Sequence, residues 1–338
     1  MIKKEEMLTV SIIIPVYAVS DYIERCMQSV MNQTYDSIEC IIVDDVTPDD
    51  SMIKCEHLID NYQGPIKFVI LHHERNRGLS AARNTGTDAA TGDYVFYLDS
   101  DDEITPDCIE KMIKPIQNDV TIELVLGNHE TYIQHPSQAP FKQSRTHLQN
   151  GDYDTNEKVR ALFKNGGYDG HAWNKLIKKD FLYANQLYFK EGVMWEDMLW
   201  SFFLMKHLSH LYIIPDATLK YYIRSQSILT GTDIGKKAKH LERVYSEIAN
   251  HFTEGDEGWE AKKFLRGFCS NFMYNYDSSI SQQTAHLFKG ALTGKHYTSE
   301  RLYLQFTIFL SKFSLGRKIF AAARSSRKFL KKTITPFF

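Results

Sequence analysis

The 338-residue chain is 43% hydrophobic and 24% charged, enough apolar material to bury a full core, which excludes a largely disordered protein. Its five cysteines, at 26, 40, 55, 108 and 269, are odd in number and far apart; this argues against a disulfide framework or a paired-cysteine metal site and fits a reducing cytoplasm. The net charge of −2 conceals an asymmetry, because residues 301–338 hold nine Lys or Arg and no Asp or Glu, which leaves −11 on the first 300.

The N-terminal residues are charged and run straight into a strand-like segment, without the apolar core and small-residue cleavage site of a secretory signal. No uninterrupted apolar run reaches the ~20 residues that span a bilayer. Residues 10–14 (Val-Ser-Ile-Ile-Ile) and 40–43 (Cys-Ile-Ile-Val) are dense in β-branched side chains, as in strands covered on both faces. Between them Ile23, Cys26, Met27, Val30 and Met31 recur at helical spacing, and Asp21 with Glu24 reads as a capping box. The alternation continues with a strand over 66–71, a helix over 79–90 and a strand over 94–98. Thr105-Pro106 then opens a helix, with Pro at the first helical position. This order predicts an α/β fold with a doubly wound, mostly parallel sheet and ligands at the carboxyl ends of its strands.

Residues 134–150 are polar and weakly patterned, which predicts a surface excursion. A helix follows near 156–164, then an irregular aromatic-rich stretch, then an apolar helix over 196–208. Beyond Gly235 strand signals fade, and Leu241, Val244, Ile248 and Phe252 repeat at helical spacing. A boundary near residue 235 thus separates an α/β domain, 1–235, from a helical C-terminal region, 236–338.

Four segments could carry chemistry. Asp99-Ser100-Asp101-Asp102 places three carboxylates directly after a predicted buried strand. Such a cluster repels itself unless a cation joins it, and Mg²⁺ or Mn²⁺ takes carboxylates, water and substrate phosphates as ligands; the competing reading is an acidic turn with an Asx cap. Asp44-Asp45 ends another buried strand and suits recognition of a base or ribose edge, or else a helix cap. The run from Asn76 to Gly86 is a glycine-containing loop entering a helix of small residues, in which Arg83 can meet phosphate or the acidic cluster. Finally, Trp195-Glu196-Asp197 opens the apolar helix, where a carboxylate is either a dipole-stabilised cap or a positioned base flanked by Trp195 and Trp200.

Together these motifs resemble family 2 glycosyltransferases, an inverting family with the GT-A fold, over roughly the first 235 residues. Val10-Ser11-Ile12-Ile13-Ile14-Pro15-Val16-Tyr17 looks like the family's opening strand and Val43-Asp44-Asp45 like its second-strand signature, although Val46-Thr47 stands where Gly-Ser is usual. Gly78, Ala82-Arg83-Asn84 and Gly86 match the donor-side helix, and Asp99-Ser100-Asp101 matches the metal-binding DXD motif. Trp173-Asn174-Lys175-Leu176 and Glu196-Asp197 resemble acceptor-side motifs of bacterial members.

The resemblance implies a GT-A nucleotide-diphospho-sugar transferase fold with a C-terminal helical extension. It implies a nucleotide-sugar donor, a UDP-sugar by family tendency, and a glycan acceptor, in keeping with cell-surface polysaccharide biosynthesis. Pro15, Tyr17 and Asp45 would line the nucleobase pocket, with Arg83 and Asp99 nearby on the donor side. Asp101 would bind Mn²⁺ or Mg²⁺, with Asp99 at the metal-bound water or ribose. Asp197 would be the catalytic base, with Glu196 orienting it or the acceptor, while Trp173, Asn174 and Lys175 would face the acceptor. Tyr222, Arg224 and Ser227 fall where related enzymes close a segment over the diphosphate.

The tail interleaves Phe313, Leu315, Ile319, Phe320, Phe329 and Leu330 with basic residues. It reads equally as an amphipathic helix on an anionic membrane, which would dock the enzyme peripherally at the inner face of the cytoplasmic membrane near lipid-linked acceptors, or as a solvated helix packed on the domain. Nucleic acid is not an expected partner, because no recognised nucleic-acid fold accompanies the charge. Two other functions compete. A sugar-nucleotide pyrophosphorylase would carry a Gly-rich, basic loop after the first strand, where Pro15-Val16-Tyr17-Ala18-Val19 has neither feature. A non-catalytic sugar- or nucleotide-binding scaffold would have no need to keep Asp45, Asp99, Asp101 and Asp197 together.

Overall fold

The structure, a computed structural model, describes residues 7–135, 138–146, 148–165, 167, 170–223 and 234–251. In chain order its elements are β1 (Val10–Val16), α1 (Ile23–Met31), β2 (Ile38–Asp44), α2 (Ser51–Asp60), β3 (Lys67–His72), α3 (Leu79–Ala89), β4 (Tyr94–Tyr97), β5 (Glu103–Ile104), α4 (Cys108–Asn118), β6 (Leu124–His135), β7 (Gln138–Arg145), β8 (Gly151–Tyr153), α5 (Asn156–Lys164), β9 (Lys175–Lys178), α6 (Lys179–Ala184), α7 (Glu196–His207), β10 (Leu211–Ile223) and α8 (Ile234–Asn250).

All ten strands form one sheet in the order β3-β2-β1-β4-β9-β6-β10-β5, with β7 added to β6 and β8 to β10. The first four pair in parallel through strand–helix–strand crossovers. Beyond them β9 runs antiparallel to both neighbours, β6 and β10 are again parallel, and β5, β7 and β8 run against their partners. Six strands therefore share one direction, and the expected mostly parallel, doubly wound sheet is present.

Burial follows from strand alternation. On one face Ile12, Ile14, Ile42, Phe96 and Leu98 join Ile23, Cys26, Met27 and Val30 of α1 and Ile109, Met112, Ile113 and Ile116 of α4 in a continuous core. On the opposite face α3 lies so close to β1 that a methyl group on Gly86 would overlap Ile13. Tyr97 on that face meets Phe189 and Trp200 edge-on at 5.2 and 5.8 Å. Cys26, Cys40, Cys55 and Cys108 are buried free thiols.

The chain divides into two compact units, one of Met1–Leu162, Gly167–Gly192 and Trp200–Thr230, and one of Phe163–Gly166, Val193–Leu199 and Gly231–Phe338. The first holds the whole sheet. In the second, Leu241, Val244, Tyr245 and Ile248 of α8 are buried, and the Met194 N–H donates to His240 Nδ1 at 3.2 Å. Among the described residues no helix is long and apolar enough to cross a membrane. Phe252, Arg224, Ser227 and the basic tail lie outside the described residues.

Three local expectations are corrected. The N-cap of α1 is Tyr22 with no side-chain cap hydrogen bond, so Asp21 and Glu24 do not form a capping box; Val19 O accepts from the N–H groups of Tyr22 and Ile23 and turns the chain into the helix instead. Helix α4 starts at Cys108 with Asp107 as N-cap, which leaves Pro106 before the helix rather than at its first position. The polar stretch 134–150 contains β7 and the end of β6, a pair held by backbone hydrogen bonds that polar side chains do not oppose.

Candidate active site

Parallel pairing brings the carboxyl ends of β1, β2 and β4 side by side, with Val16 opposite Asp44 and Ile13 opposite Tyr97. At the end of β1, Pro15 is buried and Tyr17 is 49% exposed. At the end of β2, Asp45 is buried and accepts from Arg77 N on Oδ1 and Gly78 N on Oδ2, each at 2.7 Å. His73 Nδ1 contacts Asp45 Oδ1 at 2.6 Å while its Nε2 contacts Thr85 Oγ1 at 2.9 Å. Asp45 therefore organises the 73–78 loop that leads into α3. Gly78 is the N-cap of α3 with φ +88°, a conformation that disfavours any side chain. Asp44 accepts from Thr47 N at 2.9 Å and pairs with His72 at 3.0 Å.

After β4 the chain turns through Asp99-Ser100-Asp101-Asp102, closed by Asp102 N donating to Asp99 O at 3.0 Å. Asp99, Asp101 and Asp102 each offer a carboxylate oxygen within 4.8 Å of the others. Asp102 is 1% exposed; its Oδ1 accepts from Tyr222 N at 2.9 Å, and its buried Oδ2 has no hydrogen-bond partner. Burial, then the charges of Asp101 and Asp99, hold the Asp102 carboxyl well above its ordinary value, although Tyr222 N–H and Arg25 act in the opposite direction. Three converging carboxylates with an orphaned buried oxygen are a donor set suited to a hard divalent cation.

Cationic side chains brace this turn from two helices. Arg83 of α3, 2% exposed, donates to Asp99 Oδ1 at 2.7 Å and lies 5.1 Å from the centre of the Phe189 ring. Arg25 of α1 donates from Nη2 to the Asp101 carbonyl at 2.8 Å and pairs through Nε with Glu103 Oε1 at 2.9 Å. Sequence reasoning passed over Arg25 and Glu103 and left Asp102 out of the metal set. The adjacency of a third Asp was the available signal for Asp102, but nothing local marks Arg25.

Trp173, 4% exposed, clusters with His171 at 4.5 Å and Tyr221 at 5.3 Å. Asn174, with φ +60°, donates to the carbonyls of Gly127 and Asn128 at 2.8 and 2.9 Å and accepts from Thr218 Oγ1 at 2.7 Å. Lys175 is fully buried and donates to the His171 carbonyl. These three side chains are packed into the sheet. Tyr222 is 7% exposed, and its hydroxyl donates to Glu103 at 2.7 Å. Glu196 and Asp197 occupy the first turn of α7; Glu196 is buried, Asp197 half-buried, and Asp197 Oδ1 accepts from Met198 N at 2.8 Å.

Among solved structures, TarS residues 1–349 of S. aureus in complex with UDP aligns with TM-score 0.68 at 16% identity, covering 94% of this chain and 92% of that one. The mannosyltransferase PcManGT of Pyrobaculum calidifontis in complex with GDP-Man and Mn²⁺ aligns with TM-score 0.56 at 14% identity, covering 98% and 88%. EpsH of Bacillus subtilis (strain 168), provisionally named a glycosyltransferase, is 34% identical over 182 residues, which is 53% of this chain and 50% of that protein. The chain thus matches only about half the length of EpsH. The profile of Glycosyl transferase family 2 matches residues 11–182, from β1 through the acidic turn to α6. With half of its residues inside that profile and the family's acidic motifs at the ends of β2 and β4, the chain belongs to glycosyl transferase family 2.

Proposed function

We propose that the protein is an inverting, metal-dependent glycosyltransferase whose catalytic domain, residues 1–235, moves a sugar from a UDP-sugar to a hydroxyl of a glycan acceptor in cell-surface polysaccharide synthesis. The observation that carries the reading is the convergence of Asp99, Asp101 and Asp102 at the carboxyl end of β4 in a family 2 domain, with Asp102 Oδ2 buried and unpartnered. Further support comes from the fold shared with TarS, solved with UDP, and with PcManGT, solved with GDP-Man and Mn²⁺.

In this reading Asp101 and Asp99, joined by Asp102, hold Mn²⁺ or Mg²⁺. When bound, the cation offsets the negative charge that develops on the departing diphosphate. Pro15 and Tyr17 flank the nucleobase, and Asp45 contributes through its carboxylate and through the loop it orders. Arg83 keeps Asp99 turned toward the donor side. Asp197 removes the proton of the acceptor hydroxyl as that oxygen attacks the anomeric carbon from the face opposite the leaving group, so configuration inverts. Glu196 orients Asp197, and Trp173, Asn174 and Lys175 form the framework on the acceptor side. Arg224 belongs to the segment that closes on the diphosphate, and the basic tail carries the peripheral membrane contact that brings lipid-linked acceptors within reach.

The test is calorimetric binding of UDP with and without Mn²⁺ to the wild type and to Asp101→Ala. Metal-dependent binding lost in the variant is the expected result. A folded wild type that binds UDP under neither condition refutes the assigned donor site.

A further inference from the structure

We propose that Arg25 is a positioning residue for the metal-binding turn: from α1 it fixes the Asp101 peptide so that the three carboxylates stay converged. The proposal rests on the metal reading above and extends it to an element outside the acidic motif.

Three carboxylates within 4.8 Å of one another repel when no cation joins them, so the turn needs restraints that do not depend on the ion. Asp99 is restrained through its side chain by Arg83, and Asp102 through its side chain by the Tyr222 N–H. Asp101 is restrained through its backbone, where Arg25 Nη2 meets the carbonyl oxygen at 2.8 Å. A guanidinium bound to that carbonyl offsets part of the cluster's charge without taking a carboxylate oxygen of the turn.

Arg25 is itself held in one geometry. Its Nε lies 2.9 Å from Glu103 Oε1 in an ion pair, its guanidinium lies 3.7 Å from the centre of the Tyr222 ring, and Tyr222 stacks in turn on Tyr132 at 5.3 Å. Glu103 is fixed from the other side by the Tyr222 hydroxyl at 2.7 Å and Lys220 at 3.1 Å. The same Tyr222 thus supports Arg25 with its ring and hydroxyl and Asp102 with its N–H, so two of the three carboxylates share one brace. A planar fork pairs with Glu103 and donates to the Asp101 carbonyl at once while stacking on a ring, which makes lysine a poor replacement.

The experiment titrates the full chain with Mn²⁺ in the presence of UDP by calorimetry, for wild type, Arg25→Lys, Arg25→Met and Glu103→Gln, with thermal melting and metal-free UDP binding recorded for each. The expected result is a roughly 10–100-fold loss of Mn²⁺ affinity in both Arg25 variants, the range typical of residues that orient metal ligands. Glu103→Gln should show a smaller loss in the same direction, while melting temperature and metal-free UDP binding stay near wild type. Where Arg25→Met fails to fold, Arg25→Lys, which keeps the charge, carries the comparison. Wild-type Mn²⁺ affinity in Arg25→Lys overturns the proposal, as does a loss matched by equal losses in melting temperature and metal-free UDP binding. A wild type that binds no Mn²⁺ overturns the metal reading as well, which separates the two failures.

Discussion

Gly86→Ala tests whether the contact between α3 and β1 is as tight as the structure shows. A methyl group at Gly86 overlaps Ile13 Cγ2 and lies 3.3 Å from Ile13 Cγ1, in a sheet where Ile13 is fully buried. A β-branched side chain in a strand has little rotamer freedom with which to yield, so the helix must move away from the sheet. Overpacking of this kind costs roughly 1–3 kcal/mol, against about 1 kcal/mol that alanine returns in helix propensity. The overlap is deep and its neighbour stiff, so the upper part of that range, roughly 2–3 kcal/mol, applies, and the net loss is roughly 1–2 kcal/mol, or roughly 2–8 °C in melting temperature for a domain of this size. Because α3 also carries Arg83, the displacement loosens the 2.7 Å contact to Asp99, and UDP–Mn²⁺ affinity should fall with stability. Thermal melts and calorimetry on the single variants and on Ile13→Ala with Gly86→Ala supply the test, since removing Cγ1 and Cγ2 abolishes the clash and must make the pair non-additive by about 1 kcal/mol or more. A Gly86→Ala protein as stable as wild type, or strict additivity with Ile13→Ala, refutes the reasoning.

Two further predictions follow from single carboxylates. Asp197→Asn should lower kcat by ~10²–10⁴-fold, the usual contribution of a general base, with UDP–Mn²⁺ affinity unchanged; loss of nucleotide binding in the same variant shows that the role is misassigned. Glu39, buried in β2, accepts from Ser11 Oγ and Thr91 N at 2.5 Å, Thr91 Oγ1 at 2.7 Å and Gly92 N at 2.9 Å. Burial alone raises its pKa, but these hydrogen bonds outweigh burial and hold the carboxyl below its ordinary value. The stability it contributes is therefore complete above the unfolded value of about 4.3 and disappears as pH falls through the lower folded value. Urea unfolding of wild type and Glu39→Gln at a series of pH values should show a lower stability at pH 7 and a shallower decline below about pH 4.3 in the variant. Identical pH profiles would remove Glu39 from this role.

How far the sequence reveals this molecule depends on how local the determining physics is. Strands β1, β2 and β4 are legible because both faces are covered, and the β-branched runs of β1 and β2 and the aromatic run of β4 admit no helical pattern. The pair of β6 and β7 escapes notice because its polar residues follow no apolar alternation, and only backbone pairing with a partner defines it. The N-cap of α1 misleads for a similar reason: Asp21 has the right side chain at nearly the right spacing, yet the Val19 carbonyl sets the helix start. In the site, Asp45, Arg83, Asp99 and Asp101 stand out because they sit where strands end or where a small-residue helix begins. Arg25 and Glu103 do not, since one is an ordinary charge on an amphipathic helix and the other lies in a two-residue strand. Arg25 takes its meaning from a contact with Asp101, 76 positions away, and Glu103 from its pairing with Arg25.

Backbone strain adds evidence that owes nothing to charge. Among the described residues the non-glycine positions with positive φ are Ala18, Val46, Asn174, Gln186 and Trp195. Ala18 follows Tyr17, Val46 follows Asp45, Asn174 is itself an expected acceptor-side residue, and Trp195 precedes Glu196. Strain of this kind costs of order 1–3 kcal/mol per residue and persists where surrounding structure over-determines the conformation. Val46 is the sharpest case, because a β-branched residue at φ +59° holds a conformation that favours glycine. The turn after Asp45 is therefore imposed by its contacts: Thr47 donates its N–H to Asp44 at 2.9 Å and its hydroxyl to Asp49 at 2.7 Å, and it accepts from Ala18 N at 2.8 Å. Tyr17 and Asp45 are thereby tied through adjacent strained residues, so the two sides proposed to flank the nucleobase are fixed as one rigid unit rather than as independent loops.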